Sequence, residues 1–192
     1  MKRLLLCALA LLPLLANATT KAAPTAAAQP RVSMETTMGT VVFELDAQKA
    51  PKTVANFLAY VKEDGYRNSL FHRVIPGFVV QGGGYDGNYQ SLPSHAPVQN
   101  ESKNGLSNRR GTIAMARTSD PHSATRQFYV NLQDNLPLDG GANYGYTVFG
   151  KVVSGMEVLD KIAAQPTGVS EELGATDVPQ TPIAIKQITL QK

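Results

Sequence analysis

The 192-residue chain has no tryptophan, three histidines and a single cysteine, and only 17% of its residues are charged. Each shortage excludes something. Cys7 stands alone inside an apolar run, which rules out a disulfide framework or a Cys-rich zinc module. His72, His95 and His122 lie 23 and 27 residues apart with no H-E-x-x-H and no carboxylate cluster beside them, so no metal site is predicted. A serine hydrolase would want a segment such as G-x-S-x-G, and there is none. The charge is too sparse and too mixed for a disordered polyelectrolyte or a coiled coil. The apolar run Leu4–Leu15 has 12 residues including Pro13, short of the ~20 that a membrane-spanning helix needs.

That run has a different use. Lys2 and Arg3 precede it and Ala16-Asn17-Ala18 follows, the charge, apolar length and small-x-small exit of a secretory signal peptide cleaved after Ala18. Cys7 sits too early in the run to be a lipoprotein cysteine. Removing residues 1–18 leaves 16 basic against 15 acidic residues, so the mature charge falls from +3 to +1. The case for a nucleic-acid partner goes with the leader. Residues 19–30, TTKAAPTAAAQP, have no periodicity and read as a linker. One domain remains, residues 31–192, with nothing that points to an obligate oligomer; a monomer is expected.

Within it, Val32–Thr37 and Thr40–Asp46 flank Met38-Gly39 as a hairpin, with Val41, Phe43 and Leu45 on one face. Pro51 opens a helix whose stripe is Val54, Phe57, Leu58 and Val61, stopped by Gly65. Short β-like runs follow at 70–75, 78–81, 112–117, 127–132 and 146–153, then a helix over 155–165 and a last strand ending at Leu190. Eight strands and two helices suit a mainly β fold, a closed eight-stranded antiparallel barrel capped by two α-helices, because closure removes exposed edges. Composition alone does not separate a barrel from a sandwich.

Some motifs carry less than they promise. Gly82, Gly84 and Gly87 fit G-x-G-x-x-G after a strand, but NYQSLPSHAP follows instead of a helix, so they are read as turn glycines. Arg109-Arg110 reads as solvated loop charge, and Asn100-Glu101-Ser102 is a sequon whose use depends on the host.

The segment Phe71-His72-Arg73-Val74-Ile75-Pro76-Gly77-Phe78-Val79-Val80-Gln81-Gly82-Gly83 places an arginine and a glutamine in otherwise apolar runs. It resembles the signature of the cyclophilins, the peptidyl-prolyl cis-trans isomerases inhibited by cyclosporin. Met34–Gly39, Pro51–Phe57, Gly111–Arg117, Gln127-Phe128-Tyr129 and Val148–Val152 are similar to further family segments in the family's order. The Met115-Ala116-Arg117 version and the leader resemble the periplasmic members of Gram-negative bacteria. The resemblance implies an eight-stranded barrel with the substrate groove on its outside, and an isomerase of Xaa-Pro bonds in exported polypeptides that needs no cofactor. Arg73 would be the catalytic side chain, with Gln81 and Phe78 beside it. Val79, Tyr129, Leu138 and Tyr146 would complete the proline pocket, Gln127 would hydrogen-bond the substrate, the backbone at Ala116-Arg117 would hold the peptide, and His72 would border the site. The alternative is a periplasmic chaperone or peptide-binding module with incidental isomerase activity.

Four positions depart from the family pattern. Tyr129 stands where Phe is usual, so a hydroxyl must be accommodated. Arg126 replaces a small Ser and is expected to bring a charge near the groove. Pro137 falls where many members have Trp and Tyr146 where they have His, with the insertion GGANYG before it. Weak cyclosporin binding is expected.

Overall fold

The computed structural model describes residues 29–191. The leader, Cys7 and residues 19–28 of the expected linker lie outside them. In chain order the elements are β1 (Arg31–Thr36), β2 (Gly39–Leu45), α1 (Pro51–Lys62), β3 (Ser69–Ile75), β4 (Val79–Gly82), β5 (Thr112–Met115), β6 (Phe128–Asn131), a 3-10 turn (Leu136–Asp139), β7 (Val148–Ser154), α2 (Met156–Ala163), β8 (Thr167–Ser170), β9 (Ala175–Pro179) and β10 (Ala184–Leu190). Eight strands close a barrel in the order β1-β10-β3-β4-β6-β5-β7-β2, and its strand pairs run antiparallel. The barrel expected from the strand count is present, and the sandwich is excluded.

Two expectations need correcting. The hairpin β8–β9 forms a separate two-stranded sheet that was not anticipated. Its segment, TGVSEELGATDVP, carries Val169 at 76% exposure and offers no apolar alternation to read. The linker also ends earlier than expected: the Gln29 side chain accepts from the Ala47 N–H at 2.9 Å, and the Pro30 carbonyl accepts from the Leu45 N–H at 2.8 Å. Residues 29 and 30 therefore belong to the domain.

Alternation along the strands separates two packing layers. Val80, Phe128, Val130, Ile113 and Met115 point into the barrel, where they join Phe57 of α1 and Leu159 and Ile162 of α2 in one buried cluster. The intervening residues Val79, Tyr129 and Ala114 face outward and form a second, smaller cluster with Val148, Phe78, Leu138 and Tyr146. Since side chains alternate across a sheet, an apolar outer row on β4, β6 and β5 needs a cover of its own. Part of that cover is the 3-10 turn carrying Leu138. The rest is a groove.

Candidate active site

Strand register assembles the groove. Arg73 pairs with Gln81, Gln81 with Tyr129 and Tyr129 with Ala114, so these four side chains form one row across β3, β4, β6 and β5 on the outer face. A cavity of about 340 Å³ lies over this row, lined by Arg73, Phe78, Val79, Gln81, Ala116, Arg117, Tyr129, Leu138 and Tyr146. Nine of the eleven residues named from the sequence therefore meet around one cavity. Gln127 lines an adjoining cavity of about 160 Å³, which shares Gln81, Ala116 and Arg117 with the first. His72 lines neither. It is 8% exposed on β3, its ring 4.7 Å from that of Tyr85.

The polar side of the groove is a chain. Arg73 Nη1 donates to Gln81 Oε1 at 3.4 Å, and Gln81 Nε2 donates to Gln127 Oε1 at 3.0 Å. No carboxylate pairs with Arg73 among the described residues. Gly84 backs this chain: a Cβ there would stand 2.5 Å from Gln127 Nε2. Two glycines of the G-x-G-x-x-G pattern thus serve packing, Gly82 pressed against Phe71 and Gly84 making room for Gln127, while Gly87 faces open space. Burial pushes the His72 imidazole down to about 4, opposed by a hydrogen bond to the Leu70 backbone, with Arg73 lowering it further. Its Nδ1 has no hydrogen-bond partner. The ring is neutral at physiological pH and serves as packing under the groove.

The apolar side is braced by a network that the sequence did not reveal. Tyr129, 4% exposed, turns its hydroxyl away from the cavity and donates to Asn108 Oδ1 at 2.7 Å. Asn108 in turn donates from its backbone and its amide to Asp139 Oδ1 at 2.7 and 2.8 Å, while Ser107 bonds the other oxygen. Burial works to raise the Asp139 carboxyl, but these donors outweigh it and hold the group below its ordinary range. Asn135 Nδ2 reaches the Phe78 carbonyl at 3.0 Å and Asn131 Oδ1 at 2.8 Å, and the Asn135 carbonyl accepts from Leu138 N–H at 2.9 Å. Floor (Tyr129) and walls (Phe78, Leu138) are thereby fixed to one another. In the sequence, Asn108 and Asn135 fall between strands and Asn131 lies within the run 127–132; only tertiary structure brings the three together under the pocket.

Arg126 corrects an expectation. It brings no charge to the groove: it lies in a bend just before β6, is 3% exposed and lines none of the groove's cavities. Its guanidinium bonds the carbonyls of Gly83, Pro93 and Gly65 and stacks over Tyr60 and Tyr66, with centroids 5.1 and 5.6 Å away. Arg117, by contrast, lines the groove with Arg73, lying 4.6 Å over the Tyr146 ring. The Ala116 N–H donates to the Gln127 carbonyl at 2.9 Å, tying the two sides of the groove's end together.

Comparison with known proteins agrees with this geometry. Residues 31–190 match the family model for cyclophilin type peptidyl-prolyl cis-trans isomerases. The chain is 46% identical over 193 residues to peptidyl-prolyl cis-trans isomerase A of Dickeya dadantii, covering 100% of this chain and 98% of that one. It is 45% identical over 165 residues to peptidyl-prolyl cis-trans isomerase B of Escherichia coli, covering 84% and 99%. A crystal structure of a cyclophilin type isomerase from Cryptosporidium parvum superposes with a TM-score of 0.70 at 27% identity, covering 85% of this chain and 98% of that one. The same Cryptosporidium isomerase, crystallised in the presence of the dipeptide Ala-Pro, superposes at 0.69. With the groove on the barrel's outer face and a family match across the described domain, the chain belongs to the cyclophilin-type peptidyl-prolyl cis-trans isomerases.

Proposed function

We propose that this chain accelerates cis-trans rotation about Xaa-Pro bonds in exported polypeptides, with Arg73 as its catalytic side chain. The observation that carries the reading is the single row Arg73–Gln81–Tyr129, a fixed cation and amide beside an aromatic-floored cavity on the outer face. Amide resonance sets a barrier of ~18–20 kcal/mol, and uncatalysed exchange takes tens to hundreds of seconds. Millisecond turnover requires about 6 kcal/mol less. No bond between heavy atoms breaks, so the task is to favour the twisted geometry over the planar one.

In the twisted state the prolyl nitrogen loses conjugation and regains a lone pair. The Arg73 guanidinium donates to that nitrogen or to the rotating carbonyl, and its hydrogen bond to Gln81 restrains it, so little reorganisation is needed as charge develops. Gln81, itself held by Gln127, is placed to hold the carbonyl oxygen. Phe78, Val79, Tyr129, Leu138 and Tyr146 grip the proline ring, so the other side of the bond turns. Arg73→Ala is expected to lower kcat/KM for an Ala-Pro peptide by at least about a hundredfold, the loss of a preorganised charged donor, with the melting temperature nearly unchanged. Arg73→Lys restores only part, because an ammonium lacks the planar fork. Unchanged turnover in Arg73→Ala would remove Arg73 from this role.

The periplasm is the proposed location, supported by the charged, apolar and small-residue order of residues 1–18. A mature N-terminus at residue 19 in the periplasmic fraction is the expected result; retention of Met1 in the cytoplasm would refute it. Cyclosporin is proposed to bind weakly, since Pro137 and Tyr146 stand where Trp and His are usual in the family. A nanomolar inhibition constant would overturn that.

A further inference from the structure

Six cations among the described residues are paired with a carboxylate: Arg31 and Lys151 share Glu44, Arg67 pairs with Asp64, Arg109 with Asp134, Arg110 with Asp160, and Lys186 with Glu35. Around the groove, Arg73, Arg117 and Lys103 have no carboxylate partner among the described residues, although three separate loops or strands deliver them to one face. The other cations without one line none of the groove's cavities: Lys49, Lys52, Lys62 and Lys161 lie on or beside the two helices, and Arg126 is buried against backbone carbonyls.

Three cavities meet at Arg117: the proline cavity of about 340 Å³, the adjoining one of about 160 Å³, and a side cavity of about 350 Å³ that Lys103 and Tyr144 also line. No aspartate or glutamate lines any of them. Of the acids on nearby loops, Asp139 holds Ser107 and Asn108, while Asp120, between the lining residues Ser119 and Pro121, accepts from the His122 N–H at 2.8 Å and itself lines none of the three. A neighbouring cavity of similar size, over β2, β5 and β7, shows the contrast: its cations Arg109 and Lys151 each have a carboxylate.

Arg117 is held rigidly. Its Nε donates to the Gly145 carbonyl at 3.3 Å, Nη1 to Thr118 at 2.8 Å and Nη2 to Tyr144 at 3.0 Å, with Tyr146 beneath the plane. Those acceptors are neutral. They fix the guanidinium and leave its charge uncancelled. Lys103 leans over the same cavity from another loop, its Nζ 4.9 Å from the Tyr144 ring centre. Arg117 and Lys103 thus line one cavity that no carboxylate lines, and an anion entering it would meet two cations.

We propose that the groove selects client segments with an aspartate or glutamate close to the proline, and that Lys103 and Arg117 hold this carboxylate in the side cavity. The proposal rests on the isomerase reading and names its substrate class. A fixed guanidinium binds at low ordering cost, and the flexible Lys103 adds charge.

The test is a set of peptides around one Xaa-Pro bond, each carrying Glu or Gln at one position on either side of the proline. Turnover and calorimetric binding are measured in parallel on the wild type, Lys103→Gln and Lys103→Arg. At the matching position the Glu peptide should exceed its Gln twin by about three- to tenfold in kcat/KM at low salt, mostly through KM, as expected for a carboxylate between two cations. Added salt should shrink the gap. Lys103→Gln should remove most of it while leaving the Gln peptide unchanged, and Lys103→Arg should keep it. Equal binding of Glu and Gln peptides at every position overturns the proposal, as does a Glu preference that survives Lys103→Gln. Glu-selective binding with no turnover of either peptide supports the proposal and overturns the isomerase reading instead.

Discussion

Replacing Tyr129 by Phe asks which way the extra hydroxyl acts. In the structure it points away from the proline cavity and donates to Asn108 Oδ1 at 2.7 Å. That oxygen also accepts from Asn131 Nδ2 at 3.2 Å, so Tyr129→Phe leaves it with a donor and creates no buried orphan. Burial pushes the Tyr129 phenol well above its ordinary range, so it is a neutral donor at any working pH. The loss is then one neutral hydrogen bond, about 1 kcal/mol, which lowers the melting temperature of a domain this size by about 2–4 °C. The ring itself stays packed edge-to-face on Tyr146, centroids 5.8 Å apart, so kcat/KM on an Ala-Pro peptide should stay within about twofold of wild type. Asn108→Ala is the harsher variant. It strands the Tyr129 hydroxyl and removes the Asn108 amide donor from Asp139, for a cost of about 2–3 kcal/mol. Thermal unfolding, exchange kinetics on both single variants and the double variant complete the cycle, with a coupling of about 1 kcal/mol expected. A tenfold change in turnover with unchanged melting in Tyr129→Phe would show that the hydroxyl meets substrate, and the reasoning would fail.

Other perturbations separate groove from scaffold. Gly84→Ala drives a methyl into the Gln127 amide, the movable end of a side chain; turnover should drop about tenfold or more with little loss of stability, whereas equal losses in both would mean that the backbone moved. His72, held down to about 4 against 6.5 when free, disfavours protonation in the folded state. Its contribution is complete above pH 6.5, falls as pH drops toward 4 and levels off below. Wild-type unfolding free energy should lose on the order of 3 kcal/mol across that window, and His72→Gln should flatten the slope; an unaltered slope would assign it to other groups. Arg126→Met leaves three carbonyls without their charged donor and should cost about 3–5 kcal/mol in urea unfolding, while the folded fraction keeps its turnover. A cost below about 1 kcal/mol would contradict the bonding described.

What could be read from the sequence follows physical range. Alternation and helical stripes depend on neighbours a few residues apart, so Val41-Phe43-Leu45 and Val54-Phe57-Val61 announce their elements, and a strand count then argues for closure. The hairpin β8–β9 has no such stripe, and its polar, acidic sequence looks like loop until it pairs. The groove was legible for another reason: Arg73, Gln81 and Gln127 are polar residues bordering apolar strands, and a family pattern names them. Its support was not legible. Asn108 and Tyr129 are 21 residues apart and Arg126 reaches Gly65 across 61, distances over which a single sequence carries no signal of contact. Arg126 shows how the error arises. Its neighbour Gln127 lines the groove, and nearness in sequence suggested nearness in space, yet the chain bends at Arg126 and the guanidinium goes to the carbonyls of Gly65, Gly83 and Pro93 instead. Tyr129 divides its roles within one side chain: its ring serves the pocket while its hydroxyl serves the loop behind it. A substitution that looks like damage to a pocket therefore stabilises the wall of that pocket, and the difference lies in the direction of one O–H bond.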